Sequence, residues 1–221
     1  VFFYELSKKI GIDKIAKLAK EFGLGQTYQI ELGNEKRGIV PSKKWKKEKL
    51  KESWYAGETL IAAIGQGYLL ATPLQLAVMT ARIASNGKKV EPTILKRKEK
   101  IEFDKIYNFS DHIGLVNRAM FKVVNEKKGT AIRSKSSEYL FSGKTGTSQV
   151  KRITVAQRES EDFRKKEIEW KDKDHALFVG YMPSINPKYA VSVVIEHGGS
   201  GAKIAAPIAK RIFDYIHELK I

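Results

Sequence analysis

The sequence contains no cysteine, which excludes disulfides, thiolate zinc sites and cysteine nucleophiles within its 221 residues and leaves the redox compartment open. It also lacks any run of about 20 apolar residues, the length a membrane-spanning helix requires. There is no initiator methionine and no signal peptide, and Val1-Phe2-Phe3-Tyr4-Glu5-Leu6 already stands in helical register. The chain therefore reads as a fragment that starts inside an element, with any anchor or signal outside it. The histidines His112, His175, His197 and His217 are scattered. Asp172-Lys173-Asp174-His175 has no second ligand cluster to join, so no metal is expected. Neither Gly65-Gln66-Gly67 nor His197-Gly198-Gly199-Ser200-Gly201 carries the Gly-Lys step of a phosphate loop. The second is expected to be a flexible join near the mouth of a site. No internal repeat is present.

What the chain does have is positive charge. Its 41 basic and 25 acidic residues leave a net +16. Such an excess favours polyanionic partners: nucleic acid, anionic lipid headgroups or a charged cell-wall polymer. The lysines are dispersed among glutamate and aspartate. The densest block, Lys43-Lys44-Trp45-Lys46-Lys47-Glu48-Lys49, holds one aromatic and no aromatic ladder, so it reads as a solvated face and no nucleic-acid partner is expected. An apolar content of 42% is enough for one substantial core and suits a single domain.

Along the chain, Phe2, Phe3, Leu6 and Ile10 form a helical stripe, and Asp13 is expected to cap a second helix with Ile15, Leu18, Ala19 and Phe22 on one face. Residues 26–53 read as an irregular basic surface lobe. Gly57, Gly65 and Gly67 imply close backbone approach in a buried place. Thr72-Pro73 opens a largely apolar helix in the favoured way, hydroxyl at the N-cap and proline at the first helical position, and Asn86-Gly87 stops it. Residues 111–124 return to helical spacing. Three strands are expected: Phe141 to about Ile153, His175–Met182 and Tyr189–Glu196, the last two forming an antiparallel hairpin through Pro183 and Pro187. Residues 154–174 read as a charged insertion. A final helix over about 203–219 covers the sheet with Ile204, Ile208, Ile212, Phe213 and Ile216. The grouping is α+β, an antiparallel sheet with covering helices.

The stretch with chemical content is Ser142-Gly143-Lys144-Thr145-Gly146-Thr147-Ser148-Gln149-Val150. On a strand Thr145 and Thr147 share a face, while Lys144 points the other way unless its long side chain curls round. Two hydroxyls and a nearby cation suit a carboxylate. Gly146 leaves room for an approaching substrate, and a backbone N–H beyond it could hold a developing oxyanion. A Ser-x-x-Lys pair with the serine at a helix start would complete an acyl-transfer site. Two sequences imitate that pattern, Ser85–Lys88 at a helix end and Ser148–Lys151 on a strand, and Ser184-Ile185-Asn186 in a turn imitates the second motif, Ser-x-Asn. All three are read as coincidental.

The order of motifs resembles the C-terminal part of the transpeptidase domain of class B penicillin-binding proteins of the cell-elongation type. It runs Trp54-Tyr55-x-Gly57-x-Thr59, Ile64-Gly65-Gln66-Gly67-Tyr68, Thr72-Pro73-Leu74-Gln75-Leu76 and Gly143-Lys144-Thr145-Gly146-Thr147. The resemblance extends along nearly the whole chain and is weakest over 96–110 and 154–174. It implies that residues 1–221 are the C-terminal portion of a single transpeptidase domain with the penicillin-binding-protein and serine β-lactamase fold. The implied activity is serine-type D,D-transpeptidation that cross-links peptidoglycan stem peptides and is blocked by β-lactams, with no cofactor. Lys144, Thr145, Gly146 and Thr147 would bind the substrate, and the Thr147 N–H would supply half of the oxyanion hole. The nucleophilic serine and its lysine lie outside this chain in the family's motif order, so the chain alone is expected to be inactive and to need an upstream segment of the same protein. Elongation-complex membrane and scaffold proteins are the implied partners, at the periplasmic face of the bacterial inner membrane. The alternatives are a carboxypeptidase or β-lactamase on the same scaffold, for which this chain shows no obvious deacylating base, and a non-catalytic relative that senses β-lactams or acts as a scaffold.

Overall fold

The computed structural model describes residues 1–30, 33–96, 101–106, 110–150 and 168–220. The described chain divides into two compact units. One comprises residues 1–119 with 187–190, the other 120–186 with 191–221.

The first unit is helical. Helix α1 (Phe2–Ile10) passes through Gly11 into α2 (Ile12–Glu21), followed by α3 (Lys43–Leu50), α4 (Ala56–Ala62) and α5 (Pro73–Ala84). Helix α6 (Ser110–Asn125) begins in this unit and ends in the other. Its core groups Ala16, Leu24 and Val40 with Ala19, Leu69, Leu76 and Met79. On α2 the buried positions are Ile12 and Ala16, whereas Leu18 is exposed, so the apolar stripe is rotated from the expected one. Asp13 does not cap α2. The N-cap is Gly11, and the Asp13 carboxylate accepts from the Lys43 N–H (3.1 Å) at the start of α3.

The basic block is that third helix rather than irregular chain. Ser42 caps it, its Oγ accepting from Trp45 N–H at 3.0 Å. Within it Lys46 is buried, held by Glu58 at 2.5 Å and Glu52 at 3.3 Å, with Tyr55 and Tyr68 around its ammonium. One lysine of the solvated run is therefore an interior ion pair, which sequence spacing gave no reason to single out.

Helix α5 starts as expected. Thr72 Oγ1 accepts from Gln75 N–H, the Gln75 side chain returns to Thr72 N–H, and Pro73 follows the cap. Its buried side chains include Gln75, Thr80 and Arg82 beside Val78. Gln75 Nε2 donates to the carbonyls of Gln26 (2.7 Å) and Arg37 (2.9 Å), and Arg82 donates to those of Glu21 (2.8 Å) and Val90 (3.1 Å). These side chains satisfy backbone groups that no regular element reaches. Gly57 and Gly65 correct another expectation, since a Cβ at either would meet nothing within 4 Å. Gly65 (φ 78°) and Gly67 (φ 72°) serve left-handed backbone after α4, not close packing of main chains.

The second unit holds the sheet, in the order β1-β2-β3, of β1 (Ser142–Ser148), β2 (His175–Met182) and β3 (Tyr189–Ile195). β1 and β2 are antiparallel, from Ser142 opposite Tyr181 to Ser148 opposite His175. The short link from β2 to β3 allows only a reversal. β1 stops at Ser148; positions 151–153 of the expected strand and 154–167 of the expected insertion lie outside the described residues. After β3 comes a π-helical turn, Gly201–Ala205, then α7 (Ala206–Glu218). The face that α7 buries is Ala206, Ala209 and Phe213, with Phe213 packed on Phe141 (ring centroids 5.2 Å apart). Of the expected face Phe213 is fully buried, Ile208 and Ile216 are half-buried, and Ile204 and Ile212 are exposed, so the covering face is turned toward the alanines. The small residues win because they let the helix approach the strands closely.

Candidate functional site

β1 is poor in strand-forming residues, and its geometry is set by β2, His-Ala-Leu-Phe-Val-Gly-Tyr-Met. Residues directly opposite on antiparallel strands share a face. Thr145 therefore lies on the face of the fully buried Phe178, and Thr147 on that of Ala176. The ring of Phe178 occupies the space beside Gly143 and Gly180. A Cβ at Gly143 would collide with it, and one at Gly180 would stand 2.7 Å from it. Gly143 thus heads the motif for a packing reason.

Ser142 fixes the start of the strand, its fully buried hydroxyl 2.8 Å from Ser184 Oγ. Gly146 is pressed from outside the strand pair. A Cβ on Gly201, at the π-helical turn, would collide with the carbonyl oxygens of Gly146 and Leu177. Both ends of the motif are therefore held by tertiary contacts.

Lys144 stands opposite Val179, on the other face from the two threonines. Its side chain curls, and Nζ donates to the Thr145 carbonyl at 2.7 Å. The residue is exposed by area, yet the protein packed around its ammonium pushes its pKa below the ordinary lysine value. The head is thus partly desolvated while its side chain stays open to solvent. Thr145 Oγ1 lies 2.9 Å from the hydroxyl of Thr130. Thr147 is exposed. Lys144, Thr145, Gly146 and Thr147 are consecutive on β1, and the Lys144 head reaches round to the Thr145 carbonyl. Among the described residues no strand pairs the other edge of β1, and alternate backbone groups of an edge strand face away from its partner.

Thr130 was not singled out by sequence reasoning. Its only signal was Gly129-Thr130-Ala131 between a helix and a strand. Gly201 was placed only in a flexible join; its contact with Gly146 is a tertiary fact. Of the imitating serines, Ser85 Oγ donates to the Arg82 carbonyl (3.3 Å), and Ser184 is tied to Ser142 at the opposite end of β1 from Thr147. Lys151, of the pair Ser148–Lys151, lies outside the described residues. A groove of about 800 Å³ in the first unit is lined by Lys20, Leu24, Arg37, Val40, Lys44 and Trp45 among others, and no residue of β1 lines it. No group of three or more metal-ligating side chains occurs among the described residues.

Residues 1–214 match the penicillin binding protein transpeptidase domain. The chain is 36% identical over 226 residues to the peptidoglycan D,D-transpeptidase MrdA of Acinetobacter baumannii, which covers 97% of this chain and 32% of that protein. It is 33% identical over 229 residues to the MrdA of Salmonella typhimurium, covering 98% of this chain and 36% of the relative. The chain thus spans about a third of the length of the curated relatives it matches. Among solved structures it resembles Helicobacter pylori PBP2 in complex with MreC (TM-score 0.86, 33% identity, 99% of this chain and 38% of the other). It also resembles Pseudomonas aeruginosa PBP2 in complex with WCK 5153 (TM-score 0.81, 36% identity, 97% and 46%).

Proposed function

This chain belongs to the penicillin-binding protein transpeptidase domain family, and we propose that it forms the Lys-Thr-Gly wall of a serine-type peptidoglycan D,D-transpeptidase of the elongation type. It is the C-terminal portion of that domain, with 154–174 as a charged insertion. In the complete protein a serine outside this chain attacks the D-Ala-D-Ala carbonyl of one stem peptide. The terminal D-Ala leaves, and an amine of a second stem resolves the ester. β-Lactams acylate the same serine. This chain binds and orients the acyl donor and does not attack it, so alone it is inactive.

The observation that carries the reading is the edge strand β1, with Thr145 and Thr147 on one face and the ammonium of Lys144 curled over the Thr145 carbonyl. A peptide lying along that edge adds a strand to the sheet through main-chain hydrogen bonds. The two hydroxyls and Lys144 take its terminal carboxylate, or that of a β-lactam. The Thr147 N–H supplies one oxyanion donor, and the nucleophile's own N–H the second. Thr130, hydrogen-bonded to Thr145, fixes the rotamer of that hydroxyl. The protein works at the periplasmic face of the inner membrane, anchored by a segment outside this chain. It acts beside scaffold and membrane proteins of the elongation complex, a setting favoured by the relative solved with MreC.

The test is acylation of the full-length protein by a fluorescent penicillin. A charge-assisted hydrogen bond contributes about 1.5–3 kcal/mol, so Lys144→Ala should slow acylation about 10- to 150-fold. Thr145→Val and Thr147→Val should slow it less, mainly by weakening reversible binding. Wild-type acylation in Lys144→Ala, or none in the full-length wild type, would overturn the reading.

A further inference from the structure

Two histidines beside the candidate strand are absorbed by no part of the reading above. His175 begins β2 opposite Ser148. His197 lies in the turn after β3. The backbone N–H of His197 donates to His175 Nδ1 at 3.0 Å. An N–H can only donate, so Nδ1 of His175 carries no proton in this arrangement. The ring of His197 faces the Lys173 carbonyl through its own Nδ1 at 3.1 Å, which makes that nitrogen a donor. The two rings meet edge to face at 4.9 Å, and Trp170 packs on His197 at 4.5 Å.

What this cluster holds is the Gly-rich join. His197 has φ 55°, a left-handed conformation that a non-glycine residue keeps only when its surroundings enforce it. Next, Gly198 packs so closely that a Cβ would lie 3.0 Å from Ala176 Cβ and from Ile195. Gly199 N–H donates to the Asp174 carbonyl at 2.8 Å. Ser200 caps the π-helical turn, and the next residue, Gly201, bears on the Gly146 carbonyl. Three residues thus separate the histidine contact at His197 from Gly201, which meets the backbone of the candidate binding strand.

We propose that His175 is a positioning residue: its unprotonated Nδ1 pins the join that seats Gly201 against Gly146 and so sets the placement of the Lys144–Thr147 surface. The proposal rests on the transpeptidase reading for its effect on activity and on geometry alone for the pin.

The experiment uses the full-length protein as wild type, His175→Ala and His175→Asn. Asparagine places Oδ1, an acceptor, where the imidazole has Nδ1. Hydrogen exchange of peptides covering 196–205 is followed at neutral pH. Alanine should exchange about three- to tenfold faster than wild type, the scale of one hydrogen bond. Asparagine should keep the wild-type protection. Fluorescent-penicillin acylation near neutral pH should be slowed in the alanine variant and restored in the asparagine variant. Wild-type protection in His175→Ala, or failure of asparagine to restore protection or acylation, would each overturn the proposal. If wild type itself is never acylated, the transpeptidase reading fails, while the exchange series still decides the pin.

Discussion

Replacing Gly201 by alanine should loosen the sheet at the strand that carries Lys144, Thr145 and Thr147. The new Cβ would collide with the carbonyl oxygens of Gly146 and Leu177 and stand 3.0 Å from Gly146 N. Carbon–oxygen contacts ordinarily begin near ~3.3 Å, so the π-helical turn must withdraw by on the order of 1 Å. The opposing atoms are backbone held in a strand pair, and no rotamer change relieves them. Overpacking of this kind costs about 1–3 kcal/mol, offset by up to about 1 kcal/mol of helical preference for alanine over glycine. The net loss is about 1–2 kcal/mol, or a fall in Tm of roughly 2–8 °C for a chain of this size. Urea denaturation of wild type and variant measures it. Gly57→Ala is the control of opposite sign. Its Cβ meets nothing within 4 Å and it lies inside α4, so the variant should gain about 0.5–1 kcal/mol. If Gly201→Ala were as stable as wild type, the contact between the join and Gly146 would not be the constraint argued above, and the placement of β1 would need another cause.

Two further outcomes are expected. Gln75→Ala should destabilise the protein by about 3 kcal/mol in chemical denaturation, because it strips donors from the carbonyls of Gln26 and Arg37 and is fully buried. Gln75→Leu should be no better, since the lost donors and not the lost volume dominate. Burial works to raise the pKa of Asp214, but Lys210 at 2.8 Å from both carboxylate oxygens and the Tyr139 hydroxyl at 2.7 Å outweigh it and hold the pKa below the ordinary aspartate value. A depressed folded-state pKa contributes stability above the unfolded value of about 3.9 and loses it as pH falls through the folded value. Asp214→Asn should therefore cost about 1 kcal/mol at neutral pH, discounted because both partners are about a third exposed. That difference should be constant above about pH 5 and shrink below about pH 4 in acid denaturation curves. A gap that widened on acidification would refute the assignment.

Local rules carried much of the fold. The Thr72-Pro73 start of α5 is a matter of which groups a helix end leaves unsatisfied, and it folded as read. β2 kept its bounds, His175–Met182, because a bounded apolar run in a sheet needs no distant partner to declare itself. Motif order also announced the family, since Gly-Gln-Gly, Thr-Pro-x-Gln and Lys-Thr-Gly-Thr are strings that local reading can find. Alternation alone placed Thr145 and Thr147 on one face and Lys144 on the other. Tertiary structure decided what each glycine, lysine and helix face was for. Gly143 makes room for Phe178 and Gly201 for Gly146, while Gly57 makes room for nothing described, and the three look alike in a sequence. Lys46 is buried against Glu58 while its neighbours are solvated. α7 buries Ala206 and Ala209 beside the expected Phe213 and leaves Ile212 exposed. These outcomes depend on which atoms arrive from residues far along the chain, and periodicity carries no record of that.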